Sequence, residues 1–192
     1  MIISLRGTNG SGKSYLVKRL LRHFDAKGIG EGKKGRCANY KMTLETGDTL
    51  CVVGNYDIAC GGCDSIQPYD NIWPRVVEMI EEGDHALFEG ALVSSGYGRI
   101  GIATEDYGDD VVFVFLDTPL EICVENIYQR RMSRGKDEPL TDKTIDNVRK
   151  KKKAVDNSIV RIRDHHERRV VVLDHRKAFH QMLTLLHEGK IT

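Results

Sequence analysis

The chain contains the stretch Gly7-Thr8-Asn9-Gly10-Ser11-Gly12-Lys13-Ser14, which matches the phosphate-binding pattern Gly-x-x-x-x-Gly-Lys-[Ser/Thr] at every fixed position. Glycines in this pattern let the backbone turn tightly so that its N–H groups point inward. A helix that starts at the end of the loop adds its positive pole. The stretch therefore predicts a loop that cradles the phosphates of a nucleotide.

The last residues of this loop have predicted chemical roles. Lys13 is expected to reach the β- and γ-phosphates, and the Ser14 hydroxyl is expected to take one coordination position on Mg²⁺. The predicted cofactors are therefore ATP and Mg²⁺. The predicted nucleotide-binding residues are Gly7, Thr8, Asn9, Gly10, Ser11, Gly12, Lys13, Ser14 and Tyr15.

The flanking sequence supplies the context that this motif requires. Residues 1–5 form a short apolar run suited to a buried strand. Apolar residues then recur at the spacing of a helix: Leu16, Val17, Leu20, Leu21 and Phe24. A strand, a glycine-rich turn and a helix thus follow one another in the required order.

Length and composition favour one α/β domain over residues 1–192, because 40% of the residues are hydrophobic and 30% are charged. The loop begins seven residues from Met1 and no apolar run approaches the length of a membrane span. We therefore expect a soluble, cytoplasmic protein without a membrane partner.

The cysteines are candidate metal ligands, and their number, five, is odd. Cys60 and Cys63, with Cys37 and Cys51, could form a zinc site, but a structural site usually has two close pairs.

The segment between the first helix and Asp64 is predicted to contain a loop, a hairpin and a second loop. Residues 27–36 are rich in glycine and lysine and predict a mobile loop. Residues 37–44 and 49–53 predict two strands joined by a turn. The loop that follows, residues 54–64, occupies the place where an open parallel sheet binds its ligands, which makes Asp64 a candidate site residue.

A second acidic candidate ends the next predicted strand. A helical pattern spans residues 72–80, and the apolar run that follows it ends in Glu89. A carboxylate in this position can hold Mg²⁺ through water or accept a proton from the acceptor. The alternative is a glutamate that only caps a helix or forms an ion pair. The polar residues 94–99 predict a flexible loop.

The following helix predicts a cluster of arginines. Residues 111–116 are the most strand-like run, and the helix after them ends near Arg130, Arg131 and Arg134. Arg130 and Arg134 are four residues apart and share a helical face. They are suited to close over a transferring phosphate, although a solvated basic helix end is the alternative.

The C-terminal third is basic and helical. An apolar seam predicts a long helix over residues 142–165, and residues 170–173 and 179–186 predict a strand and a closing helix. Residues 129–153 carry ten Lys and Arg against four Asp and Glu, although the net charge of the chain is only +1. The run of cations at 149–153 is either a solvated face or a nucleic-acid contact.

Taken together, these features resemble the P-loop nucleoside and nucleotide kinases. The resemblance is carried by the phosphate loop, the strand that ends in Glu89, and the Asp-Thr-Pro turn at residues 117–119 that leads into the arginines. It implies a three-layer α/β fold with a five-stranded parallel sheet, helices on both faces and an arginine-bearing lid at about residues 129–140.

The nearest branch is the thymidylate-kinase-like proteins, which have a counterpart of Gly61-Gly62. Those enzymes usually carry Arg-Glu-Pro before this pair and Asp-Arg at the end of the third strand. Here the corresponding residues are Ile58-Ala59-Cys60 and Glu89-Gly90. The loop over residues 54–64 is instead similar to that of phage kinases that phosphorylate 5-hydroxymethyluracil in DNA.

The leading hypothesis is ATP-dependent transfer of a phosphoryl group to a hydroxyl on a pyrimidine in DNA. Arg130, Arg131 and Arg134 would steady the transferring group, and Glu89 or Asp64 would orient or deprotonate the acceptor. One alternative is a kinase of a free deoxynucleoside or nucleoside monophosphate, and another is a nucleotide-hydrolysing switch. The sequence leaves open the choice between the two acids, the preference for ATP over GTP, and a possible homodimer.

Overall fold

A computed structural model describes residues 1–32, 35–58, 61–95 and 97–189. Within these ranges seven strands form one sheet, in the spatial order β2-β3-β4-β5-β1-β6-β7. The strands are β1 (Ile2–Arg6), β2 (Lys27–Glu31), β3 (Cys37–Thr43), β4 (Thr49–Val52), β5 (His85–Glu89), β6 (Val111–Asp117) and β7 (Val170–Asp174).

The sheet is mixed: five neighbouring strands are parallel to one another, and two antiparallel strands extend it beyond the expected five-stranded parallel sheet. β1 lies between β5 and β6 and is parallel to both. β4 is parallel to β5, and β7 is parallel to β6. β3 is antiparallel to β4, and β2 is antiparallel to β3. The predicted hairpin is thus present, and with β2 it adds an antiparallel edge.

β2 also corrects the prediction of a mobile loop over residues 27–36. Its residues Lys27–Glu31 are two charged side chains and two glycines around Ile29, the single apolar side chain of the strand, which is half-buried. The strand forms because its backbone pairs with β3, from Lys27 opposite Lys41 to Glu31 opposite Cys37. Residues 33 and 34 of the predicted loop lie outside the described residues.

The α-helices in the described part of the chain are α1 (Lys13–His23), α2 (Ile72–Glu82), α3 (Gly98–Ala103), α4 (Leu120–Met132), α5 (Asp142–Val160) and α6 (Ala178–Glu188). α3 begins within the predicted loop at residues 94–99, whose residue 96 lies outside the described ranges. The long predicted helix ends at Val160 and continues as a π-helical turn, Arg161–His165. The predicted lid spans the last turn of α4 and most of the connection to α5.

Helices cover both faces of the sheet. Ile3 and Leu5 of β1 pack in one apolar cluster with Leu16 of α1 and Met182 of α6. Ile2 lies in a second cluster on the other face, with residues of α2 and α5. This alternation follows from the pleat of β1, whose side chains point to opposite faces in turn. None of the described helices is long and apolar enough to cross a membrane.

Candidate active site

The phosphate loop is held by α4 and by Thr118, the residue that follows β6. Gly10 and Gly12 adopt φ values of +79° and +99°, which side chains other than glycine rarely adopt. The Thr118 hydroxyl donates to the Ser11 carbonyl oxygen at 2.8 Å, and Asn126 Nδ2 donates to the Gly10 carbonyl oxygen at 2.8 Å. These two bonds use carbonyl groups on the outer side of the loop and fix its path.

Lys13 is buried against its own loop. Its Nζ donates to the Gly7 carbonyl oxygen at 2.8 Å and to the Thr8 carbonyl oxygen at 3.1 Å. Burial lowers the pKa of Lys13, and the nearby charge of Glu89 opposes that shift. The ammonium group is therefore held at the base of the loop by weak acceptors, where a phosphate oxygen is a stronger partner.

Ser14 and Glu89, which the sequence assigns to a metal, are in direct contact. The Ser14 hydroxyl donates to Glu89 Oε1 at 2.7 Å. The Glu89 side chain is buried, and burial raises its pKa, while the charge of Lys13 and the bond from Ser14 oppose the increase. A buried carboxylate beside a hydroxyl offers hard oxygen ligands, which are the type that Mg²⁺ prefers.

Asp64 contacts the backbone of the turn that follows Glu89. Both of its carboxylate oxygens accept from the Ala91 N–H, at 2.9 and 3.0 Å. Lys151 of α5 contacts Ala91 at its carbonyl group. The Lys151 Nζ donates to the Ala91 carbonyl oxygen at 2.9 Å and to Ser95 Oγ at 2.7 Å. Asp64 and Lys151 thus clamp the turn that follows Glu89.

These groups surround a cavity of about 670 Å³. Of the predicted site residues, the cavity brings together Asn9, Gly10, Ser11, Gly12, Lys13, Ser14, Tyr15, Asp64, Glu89 and Arg130. The Ser11 hydroxyl is buried and has no partner among the described protein groups. An unpartnered buried hydroxyl on a phosphate loop fits a bound phosphate, because buried polar groups are otherwise hydrogen-bonded.

Four predicted site residues lie outside the cavity lining. The carbonyl groups of Gly7 and Thr8 serve Lys13 instead. Arg131 is half-buried in the last turn of α4, and Arg134 is exposed in the connection to α5. The structure therefore separates Arg130, which faces the cavity, from the other two arginines.

Several cavity residues were not predicted from the sequence. Lys18 and Arg19 belong to α1, Asn126 to α4, and His175 and Arg176 to the turn after β7. The turn after β7 could have been found, because loops at the carboxyl ends of parallel strands collect ligands. Asn126 stands one helical turn before Arg130, which is also a readable signal.

The cysteines give no evidence of a zinc site in the part of the chain that the structure describes. Cys37, Cys51 and Cys63 are free thiols there. No group of three or more potential metal ligands of the types His, Cys, Asp and Glu occurs among the described residues. Cys60, the fourth member of the alternative site, lies outside them.

Comparison with known proteins identifies similar phage proteins. A "5-hmdU DNA kinase" of Pseudomonas phage PaMx11 is 39% identical over 139 residues, covering 72% of this chain and 73% of that protein. One of another Pseudomonas phage is 31% identical over 163 residues, covering 78% and 83%. One of Delftia phage PhiW-14 is 28% identical over 158 residues, covering 75% and 58%.

No family model matches the chain. Among solved structures, a gluconokinase from Sinorhizobium meliloti 1021 superposes with a TM-score of 0.48 at 12% identity, covering 97% of this chain and 91% of that chain.

Proposed function

The chain belongs to the family of the 5-hmdU DNA kinases, and on this premise we propose that it transfers the γ-phosphate of ATP to the hydroxymethyl group of 5-hydroxymethyluracil in phage DNA. The observation that carries the proposal is the contact between Ser14 and Glu89 at 2.7 Å. It joins the end of the phosphate loop to the end of a neighbouring strand. A phosphoryl-transfer site needs its metal ligand and its phosphate cradle at one place.

The phosphate loop and the arginine of α4 would bind the nucleotide. Backbone N–H groups of residues 10–14 and the Lys13 ammonium would contact the phosphates, and Arg130 would approach from the opposite wall of the cavity. Ser14 and Glu89 would hold Mg²⁺, directly or through water. When bound, the ion neutralises charge on the β- and γ-phosphates.

Asp64 is the better placed of the two acids to receive the acceptor. Glu89 is occupied by Ser14, whereas Asp64 lines the cavity and is fixed by the Ala91 N–H. The acceptor hydroxyl oxygen would bond to the γ-phosphorus as the bond to the β–γ bridging oxygen breaks. The hydroxyl proton would pass to the Asp64 carboxylate and then to solvent, and ADP would carry the bridging oxygen away.

Arg131 and Arg134 would act only if the segment 129–140 closes over the nucleotide. In that event they would join Arg130 and stabilise the charge of the transferring group. The lid, the single domain over residues 1–192 and the homodimer remain part of this proposal. They are testable by protection of the segment from proteolysis with ATP and by sedimentation.

The deciding experiment follows label from γ-labelled ATP with Mg²⁺ to three acceptors. These are duplex DNA containing 5-hydroxymethyluracil, the same duplex with thymine, and free deoxynucleosides with their monophosphates. Label on the modified DNA alone supports the proposal. Label on a free nucleotide would replace it with a metabolic kinase, and phosphate release without any acceptor would indicate a hydrolase.

A further inference from the structure

The structure divides the five consecutive cations of α5 into different roles. Arg149 forms an ion pair with Asp146 on its own helix. Lys152 forms ion pairs with Asp117 at 3.2 Å and with Asp156 at 2.9 Å. The charges of these two residues are therefore compensated inside the molecule. They are poor candidates for a contact with an external anion.

The remaining three cations are also unequal. Lys151 is committed to the turn after Glu89, through its bonds to Ala91 and Ser95. Lys150 and Lys153 are exposed and form no ion pair or side-chain hydrogen bond with any described residue. Only these two members of the run have their full charge available to a partner.

Lys150 belongs to an exposed stripe of α5 and its continuation, defined by a spacing of three or four residues. Every member of this stripe is exposed, and none carries a carboxylate. The members are Lys143, Asn147, Lys150, Ala154, Asn157 and Arg161. We call this set the α5 stripe. Asp156 lies on the other flank of the helix, beside Lys153, and pairs with Lys152. Asp146 borders the stripe, between Lys143 and Lys150, and pairs with Arg149.

The α5 stripe borders the turn that follows Glu89. Successive residues of a helix are rotated by about 100°, so Lys151 faces the side next to Lys150. Lys151 contacts Ala91 after β5, whereas Lys152 contacts Asp117 at the end of β6. The stripe is therefore on the β5 side of the helix, near Asp64. Asp156, which shares Lys152 with Asp117, is on the β6 side.

The far end of the α5 stripe borders a hollow close to Tyr97, the residue that precedes α3. Asn157 and Arg161 line a hollow of about 580 Å³ together with His165 and His166. The His166 ring stacks on Tyr97, with ring centres 3.8 Å apart and planes 12° apart. Residues 143–161 span about 27 Å at the rise of a helix, which is about eight base pairs of DNA.

We infer that the α5 stripe binds the phosphate backbone of the acceptor DNA, with Lys143, Lys150 and Arg161 as phosphate contacts. This inference rests on the proposed function, because only a polymeric acceptor presents phosphates over that length. Amide side chains at Asn147 and Asn157 add hydrogen-bond donors between the cations. The stripe itself carries no carboxylate, and the charge of Asp146 at its border is compensated by Arg149, so a polyanion can approach this face.

Lys150 and Lys153 provide a matched pair for the test, because both are exposed, unpaired cations on one helix. Binding of duplex DNA containing 5-hydroxymethyluracil is measured without ATP at several salt concentrations. Each lost phosphate contact should reduce the slope of log K against log salt by about 0.9. Lys150→Gln should therefore show a slope shallower by about 0.9, and Lys153→Gln should keep the wild-type slope.

The combined variant Lys143→Gln, Lys150→Gln, Arg161→Gln should lose about 2.7 in slope. Equal slopes for Lys150→Gln and Lys153→Gln would overturn the inference. Label transfer by the wild-type protein to the same duplex separates this result from the proposed function. If label is transferred but the two variants have equal slopes, the α5 stripe does not bind DNA and the proposed kinase activity stands. If the slopes differ but no label is transferred, the stripe binds DNA and the proposed kinase activity is refuted.

Discussion

Gly10→Ala is the substitution for which the structure makes the sharpest prediction. A Cβ atom at Gly10 would lie 2.2 Å from the carbonyl oxygen of Cys123 in α4. A Cβ atom at Gly12 would meet only a side-chain carbon of Leu116, at 3.8 Å. Both glycines have positive φ. Gly12→Ala is therefore a control that shares the backbone strain but lacks the collision.

The expected losses of stability differ by several kcal/mol. Backbone strain at positive φ costs either variant about 1–2 kcal/mol. Gly10→Ala must also push the loop about 1 Å from α4, an overpacking that costs about 1–3 kcal/mol. That shift breaks the bond from Asn126 to the Gly10 carbonyl, worth about 0.5–1.5 kcal/mol. We expect losses of about 2.5–6.5 kcal/mol for Gly10→Ala and about 1–2 kcal/mol for Gly12→Ala.

Urea unfolding without nucleotide measures this difference. The fluorescence of Trp73, the single tryptophan of the sequence, reports the transition because its ring packs against Tyr107. A thermal melt provides the second measurement if Gly10→Ala is too unstable for a full urea curve. Equal destabilisation of the two variants would show that α4 does not press on the phosphate loop, and the reasoning would fail.

Three further predictions concern the charged groups of the site. Lys151→Met should lower the free energy of unfolding by about 1–3 kcal/mol, because the hydrogen bonds from its half-buried ammonium to Ala91 and Ser95 are lost. The same variant should reduce kcat more than it reduces the affinity for ATP. Lys151→Arg should recover part of the lost stability and part of the lost kcat. If Lys153→Met reduced them as much as Lys151→Met, Lys151 would not clamp the turn after Glu89. Burial raises the pKa of Glu89 above its ordinary value. The protonated side chain therefore contributes to the stability of the folded state at low pH, and this contribution is lost as the pH rises through the raised pKa. Urea unfolding in the presence of a chelator should show this decline in the wild type and not in Glu89→Gln, and a stability that rises over this range only in the wild type would contradict the prediction. Lys13→Met should reduce transfer by about 10²–10³-fold while the exposed Lys27→Met leaves it unchanged, and full turnover by Lys13→Met would remove the proposed role of the lysine.

Local patterns allowed much of the fold to be predicted. β1, the phosphate loop and α1 follow from apolar spacing and glycine placement, and the hairpin of β3 and β4 follows from its turn residues. β2 could not be predicted in this way, because Lys27–Glu31 is stabilised by backbone pairing with β3 and lacks an apolar pattern. The mixed direction of the sheet depends on the same pairing.

Side chains at strand ends were predictable, whereas contacts between distant elements were not. The position of Glu89 at the cavity follows from a local signal, an acid after an apolar run. The bonds from Lys151 to Ala91 and Ser95 join residues about sixty positions apart. They exist because α5 packs across the sheet, which no spacing within residues 149–153 encodes. The same packing explains why a uniform run of cations serves three different purposes.

The resting partners of Lys13 have a consequence for selectivity. Two carbonyl oxygens hold the Lys13 ammonium when no ligand is bound. The binding free energy that an anion gains from Lys13 is therefore only the difference between its interaction with the ammonium and the interaction of the two carbonyl groups. A singly charged or strongly hydrated ion offers little more than two carbonyl groups and is a weak competitor. A polyphosphate supplies several oxygens that also fit the N–H groups of the loop. The loop is thus expected to bind simple anions weakly even where they are small enough to enter it.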